Sequence, residues 1–178
     1  MDCKNALEET DGDMEKAVDL LRSKGAAKAA RREGKRANEG TLGTYVHHSG
    51  KVGVLVELNC ETDFVANTEA FQQLARDLAM HIAAARPLAV SSDEIPAEEV
   101  ERERAVYAAQ VAEEGKPEQI RDRIVEGKLG KWFKDVVLME QPFVKDPDRT
   151  VADLVTGVAA KTGEKIGVAR FVRFAIGE

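Results

Sequence analysis

Cysteine is close to absent from this chain: Cys3 and Cys60 are the only two in 178 residues. Neither sits in a C-x-x-C pair, and two thiols build no disulfide framework. Both read as small, reduced hydrophobes. Long apolar runs are missing as well, with nothing near the roughly 18–20 residues that span a bilayer. The opening Met1-Asp2-Cys3-Lys4-Asn5 lacks the apolar stretch of a signal peptide. The expected location is the cytoplasm, with no membrane association. Aromatic residues are scarce at 5%, and the net charge is −6, from 26 basic and 32 acidic side chains. A free nucleic-acid binder is more often basic overall and keeps stacking aromatics beside its basic residues. Here only Tyr45 lies near the basic run.

Catalytic signatures are missing too. The chain has no G-x-x-x-x-G-K-[ST] phosphate loop, no G-x-G-x-x-G after a strand, no G-x-S-x-G elbow and no H-E-x-x-H. The histidines are His47, His48 and His81. Neighbouring residues on a strand face opposite ways, so His47 and His48 are not expected to share a metal. His81 lies at the edge of an apolar helix stripe, where a satisfied, partly buried imidazole is the expectation. The carboxylates are spread over helix faces as solvated charge. No enzyme activity, cofactor or metal is expected.

What the chain does contain is helical periodicity, broken by one clear hairpin. Residues 3–24 read as two short helices around an Asp11-Gly12-Asp13 turn. Met14, Ala17, Val18 and Leu21 form one apolar face, Asp13 caps the second helix, and Gly25 is expected to stop it. Arg22, Lys24, Lys28, Arg31, Arg32, Lys35 and Arg36 then make a basic run. It reads as a helical linker, a solvated tether in preference to a phosphate-binding stripe. Residues 41–58 predict a β-hairpin turning at Ser49-Gly50, with Val52, Val54, Val56 and Leu58 on one face. A helix follows, capped by Asn67 or Thr68. Its buried stripe is Phe71, Leu74, Ala75, Leu78, Ala79 and Ile82, and Pro87 closes it.

Residues 91–137 predict two charged antiparallel helices that break at Gly115-Lys116-Pro117. Their sparse apolar positions are Val100, Tyr107 and Val111, then Ile120, Ile124, Trp132, Val136 and Val137. The narrow stripes would bury against each other. Residues 150–178 predict a helix with Val151, Leu154, Val155 and Val158, a turn at Lys161-Thr162-Gly163-Glu164, and a strand over 166–174. The class is α+β, a small antiparallel sheet packed with helices and carrying a helical hairpin.

Three stretches resemble one family. Met1-Asp2-Cys3-Lys4-Asn5-Ala6-Leu7, with the Gly12-Asp13 turn and Ala17, is similar to its N-terminal signature. Asn59-Cys60-Glu61-Thr62-Asp63-Phe64-Val65-Ala66 matches its N-C-x-T-D-F-V-A motif. Gly115-Lys116-Pro117, Ile120, Val125-Glu126-Gly127 and Gln141-Pro142-Phe143-Val144 match its helical hairpin and the exit from it. The chain resembles the elongation factor Ts family over nearly its whole length.

That resemblance implies a division into three parts. Residues 1–25 would be the remnant of a ubiquitin-associated-like helical domain, 26–40 a basic linker, and 41–178 an α+β core with the hairpin at about 97–137. Family members carry a further helix ahead of the first motif, and this chain opens at what looks like the second Met of a Met-Met pair. Either a truncated N-terminal domain or a true start further upstream is therefore expected. The single core subdomain looks like the short form of the family, which suggests a homodimer.

The resemblance also implies a function: guanine-nucleotide exchange on elongation factor Tu, with no direct nucleic-acid contact. Thr62, Asp63, Phe64 and Val65 would form the exchange loop. Phe64 would act as a wedge beside the GTPase Mg²⁺ site, and Asp63 would redirect groups that hold the metal. Met1, Asp2 and Lys4 would dock on the GTPase domain, with His48 and His81 as further contacts. The residues alone leave another reading of Phe64 open, in which Thr62-Asp63 is a plain turn and the phenyl packs inward. The alternative for the whole chain is an RNA- or ribosome-associated helical module that uses Arg31-Arg32.

Overall fold

The computed structural model describes residues 2–32, 34–115 and 117–178, and within them every side chain except those of residues 2, 26 and 28–30. Met1 and Lys116 thus lie outside the described residues. Helix α1 (Asp2–Glu9) and helix α2 (Met14–Ala30) are joined by a turn in which Gly12 takes a left-handed φ of +83°. Asp13 caps α2 as the sequence implies, its Oδ1 accepting the Lys16 N–H at 3.1 Å. One expectation fails in this region, the helix stop at Gly25. The apolar face of α2 is only partly covered: Ala17 is buried, but Met14 is 66% and Val18 48% exposed. Gly25 does not end the helix, which continues to Ala30. A Cβ on Gly25 would lie 3.2 Å from the Ala160 Cβ, so the glycine sits at a close helix crossing.

The hairpin is strand β1 (Glu39–Val46) and strand β2 (Val52–Cys60), paired antiparallel with Thr44 opposite Leu55. Strand β5 (Gly167–Ala175) pairs antiparallel on the other side of β2, with Val172 opposite Leu55, so the strand order is β1-β2-β5. Alternation puts Val54, Val56, Leu58 and Cys60 inward. The residues between them face out and leave Leu42, Val46, Leu55, Val172 and Phe174 exposed.

Helix α4 (Glu69–Ala85) covers the inner face, and all six residues of its expected stripe are buried. Thr68 is its N-cap, with its Oγ1 accepting the Phe71 N–H. The helix ends at Ala85 because Arg86 turns left-handed at φ 54° and Pro87 follows. It can lie so near β1 because Gly43 has no side chain. Helix α7 (Val151–Thr162) completes the core with Val151, Val155 and Ala159. It begins in a capping box between Thr150 and Asp153 and stops at left-handed Gly163.

Helices α5 (Ala97–Glu113) and α6 (Glu118–Val136) form the expected pair. The side chains buried between them differ from the expected ones: Val111 is joined by Val125 and Leu129, whereas Ile120 is exposed. Ion pairs Arg104–Glu126 and Lys128–Glu114 cross the outside of the pair. At its base a second small core holds Ala89, Ile95 and Val137 with Trp132 and Phe133. Strands β3 (Pro142–Phe143) and β4 (Asp146–Thr150) form a short hairpin that the sequence did not signal.

His81 is fully buried, more so than its place at the stripe edge implied. Its Nδ1 accepts the Val144 N–H at 3.3 Å, and its Nε2 lies 2.9 Å from Gln141 Oε1. Nε2 therefore carries the proton and donates it to Gln141. Gln141 Nε2 in turn donates to the Asp135 carbonyl at 2.6 Å. This buried network ties α4 to the exit of the helical pair. His47 and His48 lie beyond the end of β1, not on the strand, and their rings come together with centroids 4.0 Å apart.

Candidate partner-binding site

The Thr62–Val65 segment follows β2 after one intervening residue, Glu61. It is not an open loop but a single helical turn, α3 (Asp63–Ala66). Thr62 is extended at φ −131° and ψ 153°, and its hydroxyl oxygen caps the turn by accepting the Val65 N–H at 3.4 Å. One face of the turn carries Val65 and Ala66 into the core. The other carries Asp63 and Phe64 outward, and Phe64 is 83% exposed. The inward-packing reading of Phe64 is thereby excluded. Of the four residues expected at the loop, Asp63 and Phe64 are presented. Thr62 caps the turn and Val65 anchors it.

Side chains also satisfy the far end of α3. Asn67 Nδ2 donates to the Asp63 carbonyl, Thr68 Oγ1 to that of Val65, and Gln72 Nε2 to that of Ala66, at 2.7–2.8 Å. At the near end, the Glu164 carboxylate faces the turn from the α7–β5 connection. Its Oε2 accepts the N–H groups of Glu61 at 3.1 Å and Thr62 at 3.0 Å, and its Oε1 accepts the Thr62 hydroxyl at 2.6 Å. Glu61 reaches back the other way. Its carboxylate accepts the Lys165 N–H at 2.7 Å and the Arg32 guanidinium at 2.8 Å. The Lys165 N–H and the Arg32 side chain hold the Glu61 carboxyl below its ordinary pKa. Beneath them, burial raises the pKa of the Cys60 thiol, and its Sγ donates to the Thr62 carbonyl at 3.1 Å.

Sequence reading placed Arg32 in a solvated tether and read Glu164 as a turn residue. It gave Glu61 no role beyond the motif. Only their positions in three dimensions show that they converge on α3. The sole local hint is the left-handed Gly163 that ends α7 just before Glu164.

The other candidates lie elsewhere. Asp2 opens α1, and Lys4 is exposed on the same helix, 3.6 Å from Glu8. Met1 is outside the described residues. His48 is exposed in the β1–β2 turn, whereas His81 has no accessible surface to offer a partner. Among the described residues, no hydrogen bond or ion pair joins Lys4, His48 or His81 to the Thr62–Val65 turn. No group of three or more His, Cys, Asp or Glu side chains is placed to hold a metal ion among the described residues, and no helix there is long and apolar enough to cross a membrane.

A family model described as elongation factor TS matches residues 14–178. An elongation factor Ts of Carboxydothermus hydrogenoformans is 55% identical over 178 residues, covering 100% of this chain and 82% of the relative. One of Desulfitobacterium hafniense is 53% identical with the same coverage. One of Desulfosudis oleivorans is 54% identical and is covered over 90% of its length. The chain therefore belongs to the elongation factor Ts family, translation elongation factors whose role is nucleotide exchange on elongation factor Tu.

Proposed function

We propose that this chain releases GDP from elongation factor Tu by inserting the Asp63-Phe64 face of α3 beside the Mg²⁺ site of the GTPase. The observation that carries the reading is the two-sided turn: Phe64 is 83% exposed while its neighbour Val65 is buried. A large apolar side chain held in water by its own fold has burial energy left for a partner. Enclosing a phenyl ring in a foreign pocket contributes roughly 1.5–3 kcal/mol. Exchange requires tighter binding to the nucleotide-free partner than to the GDP form. By linkage, the same coupling weakens GDP, about tenfold for each 1.4 kcal/mol. Asp63 brings a carboxylate to groups that otherwise support the metal, and loosening Mg²⁺ removes charge that neutralises the diphosphate.

Lys4 and the rest of the N-terminal signature serve docking, and His48 is a peripheral contact. The RNA-binding alternative loses support from the Arg32–Glu61 ion pair, which occupies one of the two arginines it needs. The active form is a homodimer, joined through the outer face of the sheet where Leu42, Val46, Leu55, Val172 and Phe174 stand uncovered.

The deciding experiment loads elongation factor Tu with a fluorescent GDP analogue and follows its release on adding this chain with excess unlabelled GDP. Substoichiometric acceleration is expected, and Phe64→Ala is expected to fold normally and lose most of it. An undiminished rate in Phe64→Ala would remove the wedge.

A further inference from the structure

We infer that Glu164 is the positioning residue of the exchange turn: it fixes the direction in which Asp63 and Phe64 point. The inference rests on the reading of Phe64 as the wedge. Helix α3 is four residues long, far too short to hold its own shape. Its Thr62 cap bond is long at 3.4 Å. The strong contacts at its base come from Glu164, which takes two successive backbone N–H groups and the cap hydroxyl itself. Charged acceptors make the shorter and stronger hydrogen bonds.

Glu164 is itself firmly mounted. Before it, Gly163 closes α7, with its N–H bonded to the Ala159 carbonyl at 2.8 Å. After it, the Lys165 N–H returns to Glu61, and β5 then enters its ladder with Asn59 opposite Gly167. The two connections therefore bond in both directions above a shared ladder. A phenyl ring on a yielding loop would fold aside when pressed against a partner. Mounted on this brace, it transmits its burial to the partner. Misplacing a working group by about an ångström can cost on the order of a hundredfold in rate.

The test measures the maximal rate of fluorescent-GDP release from elongation factor Tu for Glu164→Ala, Glu164→Gln, Phe64→Ala and the Phe64→Ala/Glu164→Ala double variant. Glu164→Ala is expected to lower the maximal rate roughly tenfold. Glu164→Gln keeps an oxygen for both backbone N–H groups and is expected to restore most of it. Phe64→Ala should cost much less in the Glu164→Ala background than in the intact chain, because the wedge is already misaimed there. Should Glu164→Ala not fold, Thr62→Val takes its place in the cycle, with the same non-additivity expected.

A full rate in Glu164→Ala overturns the positioning role. So does a Phe64→Ala effect of equal size in both backgrounds, since a merely structural glutamate would act independently of the ring. A full rate in Phe64→Ala alone overturns the wedge as well, so the two failures are distinguishable.

Discussion

Gly43 lies so close under α4 that a Cβ built on it would sit 2.3 Å from the Ala75 carbonyl oxygen and 2.9 Å from a Val56 methyl. Neither neighbour is the far end of a flexible side chain, so the helix would have to lift. Gly43→Ala is expected to destabilise the chain by about 1–3 kcal/mol, the usual range for overpacking a core. Urea unfolding would show this as a lowered midpoint at unchanged slope. Gly53→Ala is the control, since no atom lies within 4 Å of its added Cβ. An equal loss in both would mean that the close approach is not the cause.

His81 carries a pH dependence whose sign follows from its bonds. Burial lowers its pKa, and the Gln141 bond opposes that shift only in part. Protonating Nδ1 would also set it against the Val144 N–H that it now accepts. The unfolded chain therefore takes up the proton first, near the ordinary histidine value of about 6.5. Stability is full above that value and falls as pH drops toward the folded pKa. Urea midpoints at pH 7.5 and 5.5 should differ in the parent chain and differ less in His81→Asn. Equal pH slopes would show that this imidazole is not the titrating group.

Glu61 has the opposite chemistry and a lower window. Its folded pKa is held down by the Lys165 N–H and Arg32. Its contribution is present above the ordinary glutamate pKa of about 4.3 and is lost as pH falls through the lower folded value. Below that window the Arg32 tie should release, and the protection of the Lys165 amide, relative to its intrinsic exchange rate at that pH, should fall. In Glu61→Ala, which removes the acceptor altogether, the Lys165 amide should already exchange faster at pH 7. Protection unchanged from the parent would deny that the carboxylate holds this connection.

The outer sheet face gives a prediction about assembly. Leu55 is central, flanked by Thr44 on β1 and Val172 on β5. In a twofold pairing of such faces, one substitution acts twice. With roughly 1.5–3 kcal/mol per buried leucine, Leu55→Glu should weaken dimerisation about a hundredfold or more. Sedimentation equilibrium should find the parent chain dimeric and Leu55→Glu monomeric. A parent chain that stays monomeric at high concentration would dismiss the dimer.

Strong periodicity made the core legible in the sequence. The stripe from Phe71 to Ile82 and the alternation from Val52 to Leu58 each repeat four times or more, and each forms as expected. The misses have separate physical origins. Gly25 carries the local mark of a helix stop, but Ala160 on α7 supplies the packing that keeps the helix going. In α6 the apolar positions are too sparse to choose between the Ile120–Ile124 line and the Val125–Leu129 line, and α5 makes the choice. Strand β4, Asp-Pro-Asp-Arg-Thr, opens with two Asp and a Pro, residues that disfavour strands.

At the candidate site, motif resemblance picked out Asp63 and Phe64, and the structure shows them on the surface. What braces them was not legible. Glu164 meets Thr62 only after more than a hundred intervening residues have folded, and no local pattern announces a contact of that kind.

The place of β2 in the sheet has a consequence for how the protein is made. Its neighbour β1 is synthesised just before it, but β5 emerges from the ribosome only after α3 to α7 have been made. Until then a new chain holds a valine- and leucine-rich strand with one edge unpaired, and contacts this distant in sequence form slowly. Such an edge invites pairing with another unfinished chain. A factor that serves the ribosome thus passes its most vulnerable moments still attached to one.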